Sequence, residues 1–180
     1  MRRLVLVLLL IGIFSVVGCS NDEEESPTPE KEEETEQSDE TTWKEPPPHV
    51  FGDSENGGNF MAIRDTYCWG EEDGEACTRT PKHPSETTEG IRAMVVSKGE
   101  KINYSINIMP GSLPNPNQMV VTQFYLNEEE GEVIGSVEHD WVGEFEAPEE
   151  GGRYHYIIHA KWDGEVVGEA YYAFSMIVKE

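Results

Sequence analysis

Period-two alternation of apolar and polar residues dominates the second half of this chain, and it predicts strands. In Ile102-Asn103-Tyr104-Ser105-Ile106-Asn107-Ile108 every second residue is apolar. The run Tyr154–Trp162 places Tyr154, Tyr156, Ile158, Ala160 and Trp162 on one face, with His155, Ile157, His159 and Lys161 on the other. Ala170–Val178 repeats the pattern through Tyr172, Phe174, Met176 and Val178. Ala93–Val96, Met119–Leu126 and Trp141–Phe145 read as shorter strands. Turn residues separate the runs: Lys98-Gly99-Glu100, Pro110-Gly111, Pro114-Asn115-Pro116, Gly151-Gly152 and Asp163-Gly164. Helical character is confined to a turn near Ser85–Gly90. About seven short strands so punctuated predict an all-β domain built as an antiparallel two-sheet sandwich.

The first half follows other rules. Leu4–Val17 is an apolar run behind Arg2 and Arg3. Its length is about 14 residues, short of the ~20 that span a bilayer, so it reads as a cleaved signal. From Asp22 to Glu45 the chain then carries twelve carboxylates against Lys31 and Lys44, a local charge of −10. Such a segment buries too little to offset the entropy of ordering it. Like charges extend it, and Pro27, Pro29 and Pro46-Pro47-Pro48 stiffen it, so it reads as a disordered spacer. With the spacer and the two signal arginines removed, the whole-chain charge of −23 leaves −15 on residues 46–180. That sign excludes nucleic acid as a partner.

The apolar run ends in Val16-Val17-Gly18-Cys19, an aliphatic residue at −3, a small one at −1 and then cysteine. This resembles the lipobox of bacterial lipoproteins. The resemblance implies a signal peptide over 1–18 and a diacylglyceryl group on the sulfur of Cys19. It also implies localisation to the cell membrane, lipid-anchored on the extracytoplasmic face. Two or three acyl chains at one site anchor stably where one does not. The organisation expected is signal 1–18, lipidated and disordered acidic tether 19–48, and one β-sandwich domain over 49–180.

With Cys19 acylated, Cys68 and Cys77 remain as a pair in a compartment that permits disulfides. A bridge between them closes a short loop and contributes roughly 2.5–3 kcal/mol by the chain-entropy estimate. A redox pair would use C-x-x-C spacing at a helix N-terminus, and neither is present. Trp69 is expected to pack on the bridge.

Ala147-Pro148 through Gly152-Arg153-Tyr154-His155-Tyr156, followed by a long aromatic hairpin, resembles the end of immunoglobulin-like and fibronectin-III-like sandwiches. Thr66-Tyr67-Cys68-Trp69-Gly70 with the downstream Cys77 is similar to a group of uncharacterised Gram-positive lipoproteins with a "YCW…C" element. That second likeness brings no activity with it.

His155 and His159 are four apart, which would suit a shared metal on a helix. On a strand four residues separate them by about 13 Å, too far for one ion. Carboxylates offer another chemistry. Calcium takes six to eight oxygen ligands, and Glu71, Glu72, Asp73 and Glu75 inside the cysteine loop are the candidate metal set. They lack the spaced pattern of a calcium loop, and glutamate runs commonly just solvate a turn. The chain contains no G-x-S-x-G, H-E-x-x-H, S-x-x-K or Gly-rich phosphate motif.

These features predict a non-catalytic binding module, displayed on the membrane, with an extracytoplasmic protein or a cation as partner. No cofactor is expected beyond the lipid on Cys19. The alternatives are a calcium-binding or wall-associated accessory lipoprotein, and a protease-inhibitor-like lipoprotein presenting Gly111–Gln118 as its loop.

Overall fold

The computed structural model describes residues 45–70, 77–106 and 113–180. The described chain forms ten strands: β1 (Val50–Ser54), β2 (Asn59–Met61), β3 (Ile63–Trp69), β4 (Met94–Ser97), β5 (Lys101–Ile106), β6 (Gln118–Tyr125), β7 (Glu132–Glu138), β8 (Val142–Glu146), β9 (Gly152–Asp163) and β10 (Val167–Lys179). A single helical turn, α1 (Pro84–Thr87), precedes β4. Each stretch of alternation seen in the sequence corresponds to a strand. Asp163-Gly164 sits at the turn of the long β9–β10 hairpin.

One sheet has the order β2-β1-β5-β8 and the other β3-β10-β9-β6-β7, with β4 also beside β10. The rows β10-β9-β6-β7 and β1-β5-β8 match the G-F-C-C′ and A-B-E orders of an immunoglobulin-like sandwich. Pairing is antiparallel except between β4 and β10, which run parallel with Met94 opposite Met176. β10 is long enough to hold two strands on one edge, β3 along Gly168–Ala173 and β4 along Met176–Lys179.

Four strands escape the sequence pattern. β1 reads Val-Phe-Gly-Asp-Ser, yet Val50, Gly52 and Ser54 face in while Phe51 and Asp53 face out. Gly52 is required there because a Cβ would enter the ring of Phe60. β2 is only three residues. β3 leaves Tyr67 exposed at the sheet edge and buries Cys68 on its other face, and β7 is an exposed edge with no buried residue. In each, tertiary placement rather than alternation decides which side chains are covered.

The two sheets meet on a column of aromatic rings. Phe60 stacks on Phe174 with centroids 4.0 Å apart, and Phe174 stacks on Tyr156 at 4.7 Å. Phe145 from the opposite sheet lies 5.4 Å from Tyr156. At the mouth of β9 the Tyr154 hydroxyl donates to the Glu150 carbonyl at 3.0 Å, the tyrosine corner of such sandwiches. Two residues on, where antibody domains carry the second cysteine of their inter-sheet disulfide, this chain has Tyr156. Aromatic stacking takes the place of the covalent bridge.

A second constraint lies at the β4–β5 turn. Glu100 is buried, and its carboxylate accepts from the Asn56 amide at 3.0 Å and the Ser97 amide at 2.7 Å. Burial alone would raise its pKa, but these bonds and one from the Ser54 side chain outweigh that and hold it at about 2. The carboxylate thereby ties the β1–β2 hairpin to the β4–β5 turn.

Two expectations follow from these contacts. Phe174→Ala should lower unfolding stability by about 3–5 kcal/mol in urea titration, since it removes a ring sandwiched between two others. For Glu100 the folded pKa lies below the unfolded 4.5, so its stabilisation is complete above pH 4.5 and is lost as pH falls toward 2. Glu100→Gln should flatten that acid limb and cost about 1.5–3 kcal/mol at neutral pH, read from urea midpoints across the range.

Candidate functional site

The outer faces of the two sheets differ in what covers them. Over the larger sheet the chain lays its own crossover, residues 77–93, held by polar bonds at every step. The Cys68–Cys77 disulfide fixes its start, with Cα atoms 6.0 Å apart. Glu169, buried on β10, accepts from the Arg79 amide at 2.7 Å. Asp65 accepts from the Lys82 amide and the Thr87 hydroxyl, each at 2.8 Å. Trp69 does not pack on the bridge. Adjacent strand residues point to opposite faces, so it turns to the other side of β3 and meets Trp162 edge-on at 5.2 Å.

Three histidines of this face are absorbed by the same task. The Ser85 amide donates to His83 Nδ1, which leaves Nε2 to donate to the Glu128 carbonyl at 2.9 Å. The Thr88 hydroxyl donates to the Pro84 carbonyl and accepts from His155 Nδ1 at 2.9 Å. His159 stacks on Tyr171 at 4.2 Å and bonds Glu169 through Nε2 at 3.0 Å. The Tyr171 hydroxyl donates to the same carboxylate, and burial with the Glu169 charge pushes its pKa up to about 12. His155 and His159 therefore have separate partners, Thr88 and Glu169. Burial pushes the pKa of His155 down, helped by Arg153 and His83.

The outer face of the smaller sheet has no such cover among the described residues. Register aligns Met61, Phe51, Ser105 and Val142 in one row across β2, β1, β5 and β8. Met61 is 52% exposed, Val142 39% and Phe51 38%. The next row is polar: Asn59, Asp53, Asn103 and Glu144. A shallow depression of about 390 Å³ opens between Phe51, Asp53, Met61 and Ser105. His49 sits beside Phe51 at 6.2 Å. Sequence reading missed this face because Phe51 and Met61 lie in β1 and β2, which alternation did not reveal, and Val142 of β8 alone did not mark it.

The remaining sequence candidates divide simply. Cys68 and Cys77 are joined as expected. Cys19, and the metal candidates Glu71, Glu72, Asp73 and Glu75, lie outside the described residues. Among the described residues no cluster of three His, Cys, Asp or Glu side chains is placed to hold a metal. None of the described helices is long and apolar enough to cross a membrane. The Gly111–Gln118 loop, expected to protrude, is packed down over its described part. Leu113 is buried, the Trp162 indole donates to the Pro114 carbonyl at 2.9 Å, and Asn117 Oδ1 accepts from the Asp163 amide at 2.8 Å.

No family model matches the chain, and no curated protein matches it. Among solved structures it is similar to a lytic polysaccharide monooxygenase important for efficient utilization of chitin in Cellvibrio japonicus. The identity is 12%, over 48% of this chain and 54% of that one, with a TM-score of 0.37. The chain thus spans about half the length of that structure. Likeness at this level assigns neither activity nor substrate.

The buried His155 sets a pH dependence. Its folded pKa lies below the unfolded 6.5, so the folded form favours the neutral ring. Stability from this residue is complete above pH 6.5 and falls as acid protonates the unfolded state. His155→Asn keeps a donor toward Thr88 without titrating. Urea midpoints at about pH 7.5 and about pH 5.5 should differ less in His155→Asn than in the unaltered chain.

Proposed function

We propose that this protein is a lipid-anchored extracytoplasmic binding module, non-catalytic, that meets its partner through the outer face of the β2-β1-β5-β8 sheet. The observation that carries this reading is the exposed row Met61–Phe51–Ser105–Val142, in register across all four strands. Contiguous apolar patches rimmed by polar residues mark interaction sites on soluble domains. The opposite sheet spends outer-face polar groups on holding the 77–93 crossover, and its exposed Val95 and Val133 lie apart on β4 and β7, at opposite edges. Each histidine there is engaged with a neighbour, which supports a structural role for all three. The charge of −15 on residues 46–180 favours a partner that is neutral or basic where it lands. Val16-Val17-Gly18-Cys19 supports the anchor, and the acidic segment behind it supports a spacer of up to roughly 100 Å.

A photo-crosslinking residue placed at Phe51 or Met61 in cells should give a discrete adduct that one placed at Lys161, on the other sheet, does not. Identical products from both faces would sink the proposed surface. In the same cells, incorporated palmitate should disappear with Cys19→Ser. A retained label would remove the anchor from the proposal.

A further inference from the structure

Pro46-Pro47-Pro48 does not hang free beside the domain; three side chains grip its backbone. The Trp69 indole donates to the Glu45 carbonyl at 2.7 Å. The Arg64 guanidinium donates to the Pro47 carbonyl at 3.0 Å, and the Tyr172 hydroxyl to the Pro48 carbonyl at 2.8 Å. Pro47 is buried. Arg64 and Tyr172 face each other in register on β3 and β10. Trp69 is braced edge-on by Trp162, and Arg64 lies over the ring of Tyr67 at 5.5 Å.

The chemistry of this grip is specific to proline-rich chain. Three successive prolines have no N–H to give, so strand addition to the free edge of β3 is closed to them. They do present carbonyls on a stiff extended helix of three residues per turn. In such a helix carbonyls three residues apart fall on the same side, and Trp69 and Tyr172 engage carbonyls with that spacing, 45 and 48. Aromatic grooves whose indole and phenol groups donate to ligand carbonyls are the general solution to polyproline recognition. Every donor here is a side chain and every acceptor a main-chain carbonyl, so the groove reads backbone shape more than residue identity.

We infer that the groove formed by Trp69, Arg64 and Tyr172 is a polyproline-recognition site, occupied in cis by Pro46–Pro48, that accepts a proline-rich segment in trans when this latch is released. The site stands apart from the face proposed above and does not rest on it. Only His49 separates the latch from β1, so its effective concentration reaches at least the millimolar range and suppresses trans binding in the resting chain.

The test uses the full chain and a fluorescein-labelled synthetic peptide of the sequence Lys-Glu-Pro-Pro-Pro-His. The variant P46G/P47G/P48G should bind it at least about tenfold more tightly than the unaltered chain. Adding Trp69→Phe, which keeps a ring but removes the donor, should weaken that binding. A folded P46G/P47G/P48G chain that ignores millimolar peptide overturns the inference. If that variant does not fold, the Trp69 indole resonance of the milder single variant Pro47→Gly, whose latch is loosened, decides. A shift under millimolar peptide, absent with a glycine-substituted control peptide, supports the site; no shift overturns it.

Discussion

Stacking of Phe60, Phe174, Tyr156 and Phe145 is the contact on which the sandwich depends. Sheets pack about 10 Å apart, and large rings from both inner faces fill that gap here. The position is the one where related architectures place a disulfide. A covalent bridge would act mainly on the unfolded chain, whereas rings act through buried area and contact geometry. The choice propagates outward. Gly52 is needed because Phe60 swings over β1 to reach the column, and Phe51 is consequently turned to the outside. The exposed row of the smaller sheet is thus a by-product of how the core is filled.

The disulfide that the chain does contain works elsewhere. Cys68–Cys77 secures the crossover that carries the chain from β3 over the larger sheet to β4. That crossover has one short helix and few buried apolar residues of its own, so polar side chains fix its path. Glu169, Asp65, His83, His155 and Thr88 each satisfy backbone or side-chain groups along it. Exposed apolar residues of that sheet, Val95 and Val133, are left scattered at its two edges. Among the described residues one face is strapped and the other is not, and that asymmetry is the physical basis for the interaction surface proposed on the smaller sheet.

The junction between tether and domain carries the same logic at a smaller scale. Prolines were expected to stiffen a spacer, and in sequence they are indistinguishable from one. In the fold, Trp69, Arg64 and Tyr172 come from two strands about a hundred residues apart and converge on that segment. Main-chain carbonyls are polar groups that any sequence offers. What makes three of them a ligand is the stiffness of proline and the placement of three donors, only the first of which is written locally.

Composition and local pattern by themselves determined the broad frame: an apolar start ending in Val16-Val17-Gly18-Cys19, an acidic segment, and a β domain whose strands alternate with period two. They also pointed to the pairing of Cys68 with Cys77, since the lipobox resemblance expects Cys19 to carry lipid. These follow from short-range rules on hydrophobic length, charge repulsion and strand pleat. Which side of β1 faces water, where Trp69 points, and that His155 and His159 serve separate partners were decided only by tertiary structure. So was the packing of the Gly111–Gln118 loop against β9 over its described part. Each of these depends on what lies across a sheet or over it, and such neighbours are set by non-local pairing that no window of sequence contains.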